Sequence, residues 1–248
     1  IKNMKEVFTI KEFKKKDSKK KHIIFICDHA SNFIPKKYNF LGLKTKQIKS
    51  HIAYDLGAKD FCLKLTKLLN QSCFLANFSR LIIDPNRDEN SSELILTSSA
   101  NIKIPENENI GTSEKNLRIK KFHEKYHYNL GNFIEEKKKR YEKIFLVAIH
   151  SFTKKIDKIE RGIEIGLLWN KNMNLLIPIQ KKLTDHNIFY GRNFPYTGFH
   201  YNYTLDRHSK KGKIDNICIE FRNDLICSKK RITKYIKIFS DIFSLLLK

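Results

Sequence analysis

Three side chains that can bind a metal or carry a proton follow short apolar runs of the sequence. His29 and His150 each come directly after such a run, and Glu220 lies at the end of a third. Unbroken apolar runs are typical of strands buried on both faces of a sheet. In open α/β sheets, ligands bind at the carboxyl ends of the strands. The sequence therefore predicts a site where these three strands end.

Two histidines and one carboxylate with an open fourth position form the ligand set of hydrolytic zinc. The third ligand has two candidates, His51 and Asp55, which are four residues apart in a stretch with helical periodicity and so would share one helix face. Asp55 is an acidic residue in an otherwise apolar stretch and needs a partner if it is buried. The alternative for Asp55 is a helix residue that faces solvent.

Two of the nine arginines, Arg80 and Arg87, flank the apolar stretch Leu81–Ile83. Because the guanidinium group binds a carboxylate through two parallel hydrogen bonds, these residues are candidates for binding an acidic substrate. The alternative is an ion pair of either arginine with Asp84 or Asp88.

A second pair of histidines, His123 and His127, matches the letters HExxH, a zinc-binding pattern of metalloproteases. The pair falls on a Lys-rich amphipathic helix away from any strand end, and no third ligand follows it. A supporting role is the favoured interpretation. Neither GxGxxG, GxxxxGK[ST] nor GxSxG occurs, which argues against nucleotide-binding loops and serine-esterase chemistry.

Strand and helix patterns alternate along the chain, which predicts a single three-layer α/β/α domain with a mainly parallel or mixed central sheet. Residues 1–21 are predicted as a Lys-rich lead-in and residues 22–248 as the catalytic domain, with a long functional loop over residues 84–112. The predicted strands are His22–Cys27, Ser72–Ala76, Leu81–Ile83, Ile144–Ile149, Ile163–Trp169 and Asn216–Phe221. The predicted helices are Thr45–Leu69, one from Thr112 or Ser113 to the basic run at 137–140, Asn172–His186, and one from about Lys230.

The formal net charge of +23 suggests a nucleic-acid partner, but 40 of the 49 basic residues are lysines. Base and phosphate recognition favours arginine, so the lysine surplus is a weak indication of such a partner. The five cysteines form no CxxC pattern and mostly lie in apolar runs, and no run is long enough to span a membrane. These features predict a cytoplasmic protein with reduced thiols that binds neither membranes nor, specifically, nucleic acid.

Several segments between about residues 22 and 228 resemble one family, the N-formylglutamate amidohydrolases, and occur in the same order along the chain. The segments are Cys27–Pro35 (CDHASNFIP), His51–Ala58 (HIAYDLGA), Ser79–Arg87, Tyr126-His127, His150–Thr153 (HSFT), Tyr196–Gly198, Thr204–His208 and Ile219–Leu225 (IEFRNDL). This family is similar in fold to the zinc carboxypeptidases, whose metal-binding histidine is followed three residues later by a carboxylate. Asn32 holds that position here, so Asp55 is the chosen third ligand and His51 the alternative.

The resemblance implies hydrolysis of a small anionic N-acyl amino acid, such as N-formylglutamate, to formate and the free amino acid. It implies a divalent metal, Zn²⁺ with Co²⁺ or Mn²⁺ as alternatives, held by His29, Asp55 and His150, with Glu220 as general base. Arg80, Asn86 and Arg87 are then expected to bind substrate. The residues expected to support the site are His51, His127, His208 and Arg222. A basic nucleic-acid-binding protein and a catalytically inactive member of the fold are the competing hypotheses; the oligomeric state is left open.

Overall fold

A seven-stranded mixed sheet forms the centre of the protein in the computed structural model, which describes residues 6–13, 20–156 and 159–248. In chain order the strands are β1 (Phe8–Glu12), β2 (Lys21–Cys27), β3 (Ser72–Ala76), β4 (Lys143–Phe152), β5 (Ile165–Leu168), β6 (Tyr190–Arg192) and β7 (Asp215–Arg222). Their spatial order is β1-β3-β2-β4-β7-β5-β6. The central strands β3, β2, β4 and β7 are parallel, β1 pairs antiparallel with β3, and β5 pairs antiparallel with β7.

Helices cover both faces of this sheet. They are α1 (Thr45–Ile48), α2 (Ala58–Leu69), α3 (Thr112–Arg118), α4 (Lys125–Arg140), α5 (Leu176–Asp185), α6 (Gly198–Tyr201), α7 (Tyr203–His208), α8 (Asn223–Ile226) and α9 (Lys229–Leu246). Short 3₁₀ turns lie at Lys36–Gly42 and Pro105–Asn107. Helices α2, α5 and α9 pack on one face, while α4 and residues of the long loop pack on the other. The predicted α/β fold with a mixed central sheet is confirmed.

Strand β2 shows why an unbroken apolar run is typical of a strand that is covered on both faces of the sheet. Successive side chains of a strand point to opposite faces, so a strand covered on both faces must be apolar at every position. Phe25 and Cys27 pack into one hydrophobic cluster, and Ile24 and Ile26 pack into the cluster on the other face. The same parallel direction brings the ends of β2, β4 and β7 to one edge of the sheet.

The structure corrects the prediction for residues 45–69. They form the short helix α1, a turn, and then α2, so His51 and Asp55 do not share a helix face. Gly57 precedes α2 with φ +82, a conformation that favours glycine, and a Cβ there would lie 2.9 Å from the backbone of Ile226. The glycine thus fixes the turn that carries Asp55.

Two further elements differ from the predictions. The stretch Leu81–Ile83 is a buried turn rather than a strand, because its backbone bonds within the loop. Part of the N-terminal segment is the edge strand β1, where Glu12 pairs with Lys137 of α4. Lysines 14–16 and 19 of the predicted lead-in lie outside the described residues.

The sequence did not predict strand β6 or the short helices α6, α7 and α8. The remaining predicted elements are present, with bounds that differ by a few residues. The helix expected after Thr112 is divided by a π-helical turn at Ile119–Glu124. Residues 84–112 form the expected long loop. Within it, two strands of two residues each, Ser98–Ser99 and Ile102–Lys103, pair as a hairpin. All five cysteines are free. Among the described residues, none of the helices is both long and apolar enough to cross a membrane.

Candidate active site

Three buried side chains converge at the edge of the sheet where the parallel strands end. His29 follows β2, His150 lies near the end of β4, and Asp55 comes from the turn before α2. One potential ligand atom from each lies within 4.8 Å of the other two. Asp55 Oδ2 is 2.8 Å from His150 Nδ1 and 3.4 Å from His29 Nδ1. No other residue, His51 included, joins this group in the part of the chain that the structure describes.

Backbone hydrogen bonds fix Asp55 in this position. Its own N–H donates to the carbonyl oxygen of His29 at 3.0 Å. The N–H of Ser151 donates to Asp55 Oδ2 at 3.2 Å, and the Ser151 hydroxyl donates to Leu56 O at 2.9 Å. The turn is therefore tied both to the end of β2 and to the end of β4.

A carboxylate contacts Nε2 of each histidine, the ring nitrogen that points away from Asp55. His29 Nε2 lies 2.8 Å from Asp84 Oδ1, and His150 Nε2 lies 3.2 Å from Asp28 Oδ2. Arg80 donates to His29 Nδ1 at 3.3 Å, so this nitrogen accepts in that contact, while Nε2 faces Asp84. Histidines that bind metals are commonly oriented by a carboxylate in this way.

Asp28 is in turn held by two hydroxyl groups. Tyr126 of α4 donates to its Oδ1 at 2.8 Å and Thr204 of α7 donates to the same oxygen at 3.0 Å. The sequence analysis assigned no role to Asp28, Tyr126 or Thr204, although all three lie in segments that resemble the family. The contacts of Tyr126 and Thr204 with Asp28 span 98 and 176 residues of sequence, so no local pattern predicts these contacts.

The donor set of His29, Asp55 and His150 fits a divalent metal. Two imidazole nitrogens and a carboxylate oxygen face each other at short distances, and such a group needs a proton or a cation between its members. Burial alone would lower the pKa of His150, but hydrogen bonds to Asp28 and Asp55 raise that pKa well above its usual value. Burial alone would raise the pKa of Asp55, but His29 and His150 hold it lower. The group thus stabilises positive charge at its centre.

Arg80, Asn86 and Arg87, the predicted substrate-binding residues, all line a cavity of about 240 Å³ next to these ligands. The anticipated ion-pair alternative also holds, because Arg80 donates to Asp84 at 2.6 Å. Arg87 pairs instead with Glu93 at 2.9 Å. Burial alone would raise the pKa of Asp84, but Arg80 and His29 hold it well below its usual range.

Glu220 of β7 lines the same cavity and pairs in register with His150 of β4. Its side chain is buried, and its Oε2 has no hydrogen-bond partner among the described residues. Burial raises the pKa of Glu220 to about 7. An unpartnered carboxylate oxygen beside the candidate metal ligands is placed to exchange a proton with a bound water.

The other predicted supporting residues lie outside the candidate ligand group, which consists of His29, Asp55 and His150. His51 is exposed in the turn before α2, and Arg222 pairs with Asp224 at 2.8 Å. His127 Nε2 donates to the carbonyl of Pro85 at 2.8 Å, and its Nδ1 lies 3.0 Å from His208 Nε2.

The HExxH pair belongs to the support of the loop and not to the ligand group. The ring centroids of His123 and His127 are 4.5 Å apart, and His123 Nε2 donates to the carbonyl of Arg87 at 2.8 Å. With the bond from His127 to Pro85, both histidines hold the loop segment that carries the cavity residues.

Comparisons with known proteins identify the family of this chain. The family model described as N-formylglutamate amidohydrolase matches residues 21–227. The chain belongs to the N-formylglutamate amidohydrolase family. The family consists of hydrolases that act on carbon–nitrogen bonds. The resemblance found in the sequence is confirmed.

Solved structures share its fold. A gene product of Agrobacterium tumefaciens is 27% identical, with a TM-score of 0.90 over 98% of this chain and 95% of that one. The N-formylglutamate amidohydrolase from Ralstonia eutropha JMP134 is 14% identical, with a TM-score of 0.77 over 97% of this chain and 96% of that one. No sequence among curated proteins gives a significant match.

Proposed function

We propose that this member of the family is a metal-dependent amidohydrolase that cleaves an N-formyl amino acid, such as N-formylglutamate, to formate and the free amino acid. The observation that carries the proposal is the convergence of His29, Asp55 and His150 beside the unpartnered oxygen of Glu220 in one cavity.

His29, Asp55 and His150 would hold the metal, Zn²⁺ or alternatively Co²⁺ or Mn²⁺. Such an ion, when bound, supplies Lewis-acid chemistry that lowers the pKa of water and polarises an acyl oxygen. Asp84 and Asp28 orient the two imidazole rings so that both Nδ1 atoms face Asp55. The chain's own contribution is therefore a fixed arrangement of ligands.

Glu220 acts as the general base in this proposal. It takes a proton from the water whose oxygen forms the new bond to the acyl carbon. The bond between that carbon and nitrogen breaks, and Glu220 returns the proton to the leaving amine, so the net reaction adds one water across the amide. Arg80 lines the cavity beside the ligands and stabilises the negative charge that develops on the acyl oxygen.

Formate release from N-formyl-L-glutamate tests the proposal, with protein loaded in parallel with Zn²⁺, Co²⁺ or Mn²⁺ and with N-acetyl-L-glutamate as a second substrate. A loaded protein that releases formate from no N-formyl amino acid refutes the proposed activity and supports an inactive member of the fold. Stoichiometric metal should disappear with the ligand variant His150→Ala.

Glu220→Gln should keep the metal content and lower kcat by at least about 100-fold, because it removes the base and leaves the ligands in place. The matched control is Glu142→Gln, an exposed glutamate at the far end of β4, which should retain full activity. Near-normal turnover of Glu220→Gln removes Glu220 from its proposed role.

A further inference from the structure

A second cavity of about 490 Å³ adjoins the first, and the two share Asp55, Arg80, Ser151 and Tyr196 as lining residues. Its charged lining is mostly positive: Arg80 and Arg161 contribute guanidinium groups, and a lysine lies at its edge. The carboxylate in the lining, Asp55, already bonds to His29 and His150. The cavity is therefore suited to an anion.

Arg161 is the buried cation of this cavity. Its exposed fraction is 6%, and its Nη1 donates to Tyr196 Oη at 3.1 Å. Its guanidinium carbon lies 5.6 Å from the ring centroid of Phe152 and 5.2 Å from that of Tyr196. Its backbone N–H donates to Lys154 O at 2.8 Å, which fixes the residue beside two short paired strands, Lys155–Ile156 and Ile159–Glu160.

Arg161 has no carboxylate within ion-pair distance in the described part of the chain, although it is buried. The comparably buried Arg118, 2% exposed, donates to Glu114 at 2.9 Å. A buried charge without a counter-charge is costly, because the loss of hydration is not compensated. Arg80 and Arg87, expected from the sequence to bind the substrate carboxylate, are already paired with Asp84 and Glu93. Of the three arginines that line the two cavities, Arg161 is the one without a carboxylate partner among the described residues.

We propose that Arg161 and Tyr196 form a carboxylate subsite that binds the free carboxylate of the substrate while its acyl group lies at the ligand group. The planar guanidinium binds a carboxylate through two hydrogen bonds. Tyr196 Oη accepts from Arg161, so its own hydrogen is free to donate to the same anion. The inference rests on the proposed function and makes N-formyl amino acids, not N-formyl amines, the substrate class.

Calorimetric binding of the product L-glutamate to the metal-loaded protein tests the subsite without turnover. Arg161→Gln should weaken this binding by about 10- to 100-fold, the value of a charge-assisted hydrogen bond. Arg192→Gln is the matched control, because it removes one exposed guanidinium that lines neither cavity and should leave the affinity unchanged. Loss of an unpaired buried charge should also leave the Tm unchanged or higher.

Three substrates identify which carboxylate binds: N-formyl-L-glutamate, N-formyl-L-glutamine, which lacks the side-chain carboxylate, and the α-amide of N-formylglutamate. Arg161→Gln should raise KM for substrates that retain the bound carboxylate, with a much smaller effect on kcat. The analogue that lacks this carboxylate should have a high KM in the wild type and show no further increase in the variant.

Equal affinity of wild type and Arg161→Gln for L-glutamate overturns the subsite, as does undetectable binding to the wild type. A lowered Tm with unchanged affinity would identify a structural role instead. Binding that depends on Arg161 in a protein that hydrolyses none of the three substrates would retain the subsite and refute the proposed reaction.

Discussion

His22 should make the folded protein sensitive to acid, far from the candidate active site. It lies near the start of β2, stacked on Tyr141 with ring centroids 4.3 Å apart, and its Nε2 is 2.7 Å from Ser72 Oγ. Burial, and then the charges of Lys137 and Arg140, lower its pKa from 6.5 to about 3. His22 is therefore neutral in the folded protein across the range in which an unfolded chain takes up a proton.

The sign and size of the effect follow from this difference. A group whose pKa is lower in the folded state stabilises the fold fully above its unfolded value, and the stability is lost as the pH falls from 6.5 toward about 3. Each pH unit in this window costs about 1.4 kcal/mol, so His22 should lower the free energy of unfolding by about 2 kcal/mol between pH 8 and pH 5.

Urea unfolding of wild type and His22→Gln at pH 8 and pH 5 measures this contribution, since glutamine can bond to Ser72 and does not titrate. The variant should be less stable at pH 8, yet its loss of stability between the two pH values should be smaller by about 2 kcal/mol. Other titrating groups are common to both proteins and cancel. His186→Gln, an exposed substitution, should retain the wild-type difference. An equal loss of stability in wild type and His22→Gln would refute the reasoning.

Two further predictions concern the site's orienting carboxylate and the thiols. Asp84→Asn removes the charge that accepts from His29, Arg80 and the Asn86 N–H, and should weaken metal binding by about 10- to 100-fold in competition with a chelator. The exposed control Asp88→Asn should bind as wild type does, and an unchanged affinity for Asp84→Asn would contradict the orienting role. Cys227 is the exposed thiol among five free cysteines. A thiol reagent should therefore label one site in the folded protein and five after denaturation. Rapid labelling of more than one thiol in the folded protein would contradict the burial of the other four cysteines.

The elements that the sequence predicts well are those whose pattern is repeated over many residues. β2 and α9 show continuous apolar runs or a stripe at helical spacing, and both have nearly the predicted bounds. Because β2, β4 and β7 are parallel, the prediction that His29, His150 and Glu220 meet at one edge required no more than strand direction.

The helix predicted over residues 45–69 fails for a reason outside its own pattern. The apolar residues there are spaced as in a helix, but those before α2 pack from a turn into the core. The turn depends on Gly57 lying against Ile226, a contact across more than 160 residues. The same turn brings Asp55 beside the two histidines, so the sequence placed Asp55 with His29 and His150 although the local structure predicted for it was wrong.

The histidines of the HExxH pattern show why a short motif cannot define a site without its surroundings. His123 and His127 bond to the carbonyls of Arg87 and Pro85, across 36 and 42 residues, and the pattern of letters carries no information about these partners. Burial lowers the pKa of both rings, which keeps them neutral and able to donate a hydrogen to a carbonyl. The loop they hold also contains Asp84, which contacts His29, although neither His123 nor His127 belongs to the candidate ligand group. The residues of the candidate site are therefore held in place by contacts between distant segments. A linear pattern can predict which residues lie at strand ends, but it cannot predict these contacts.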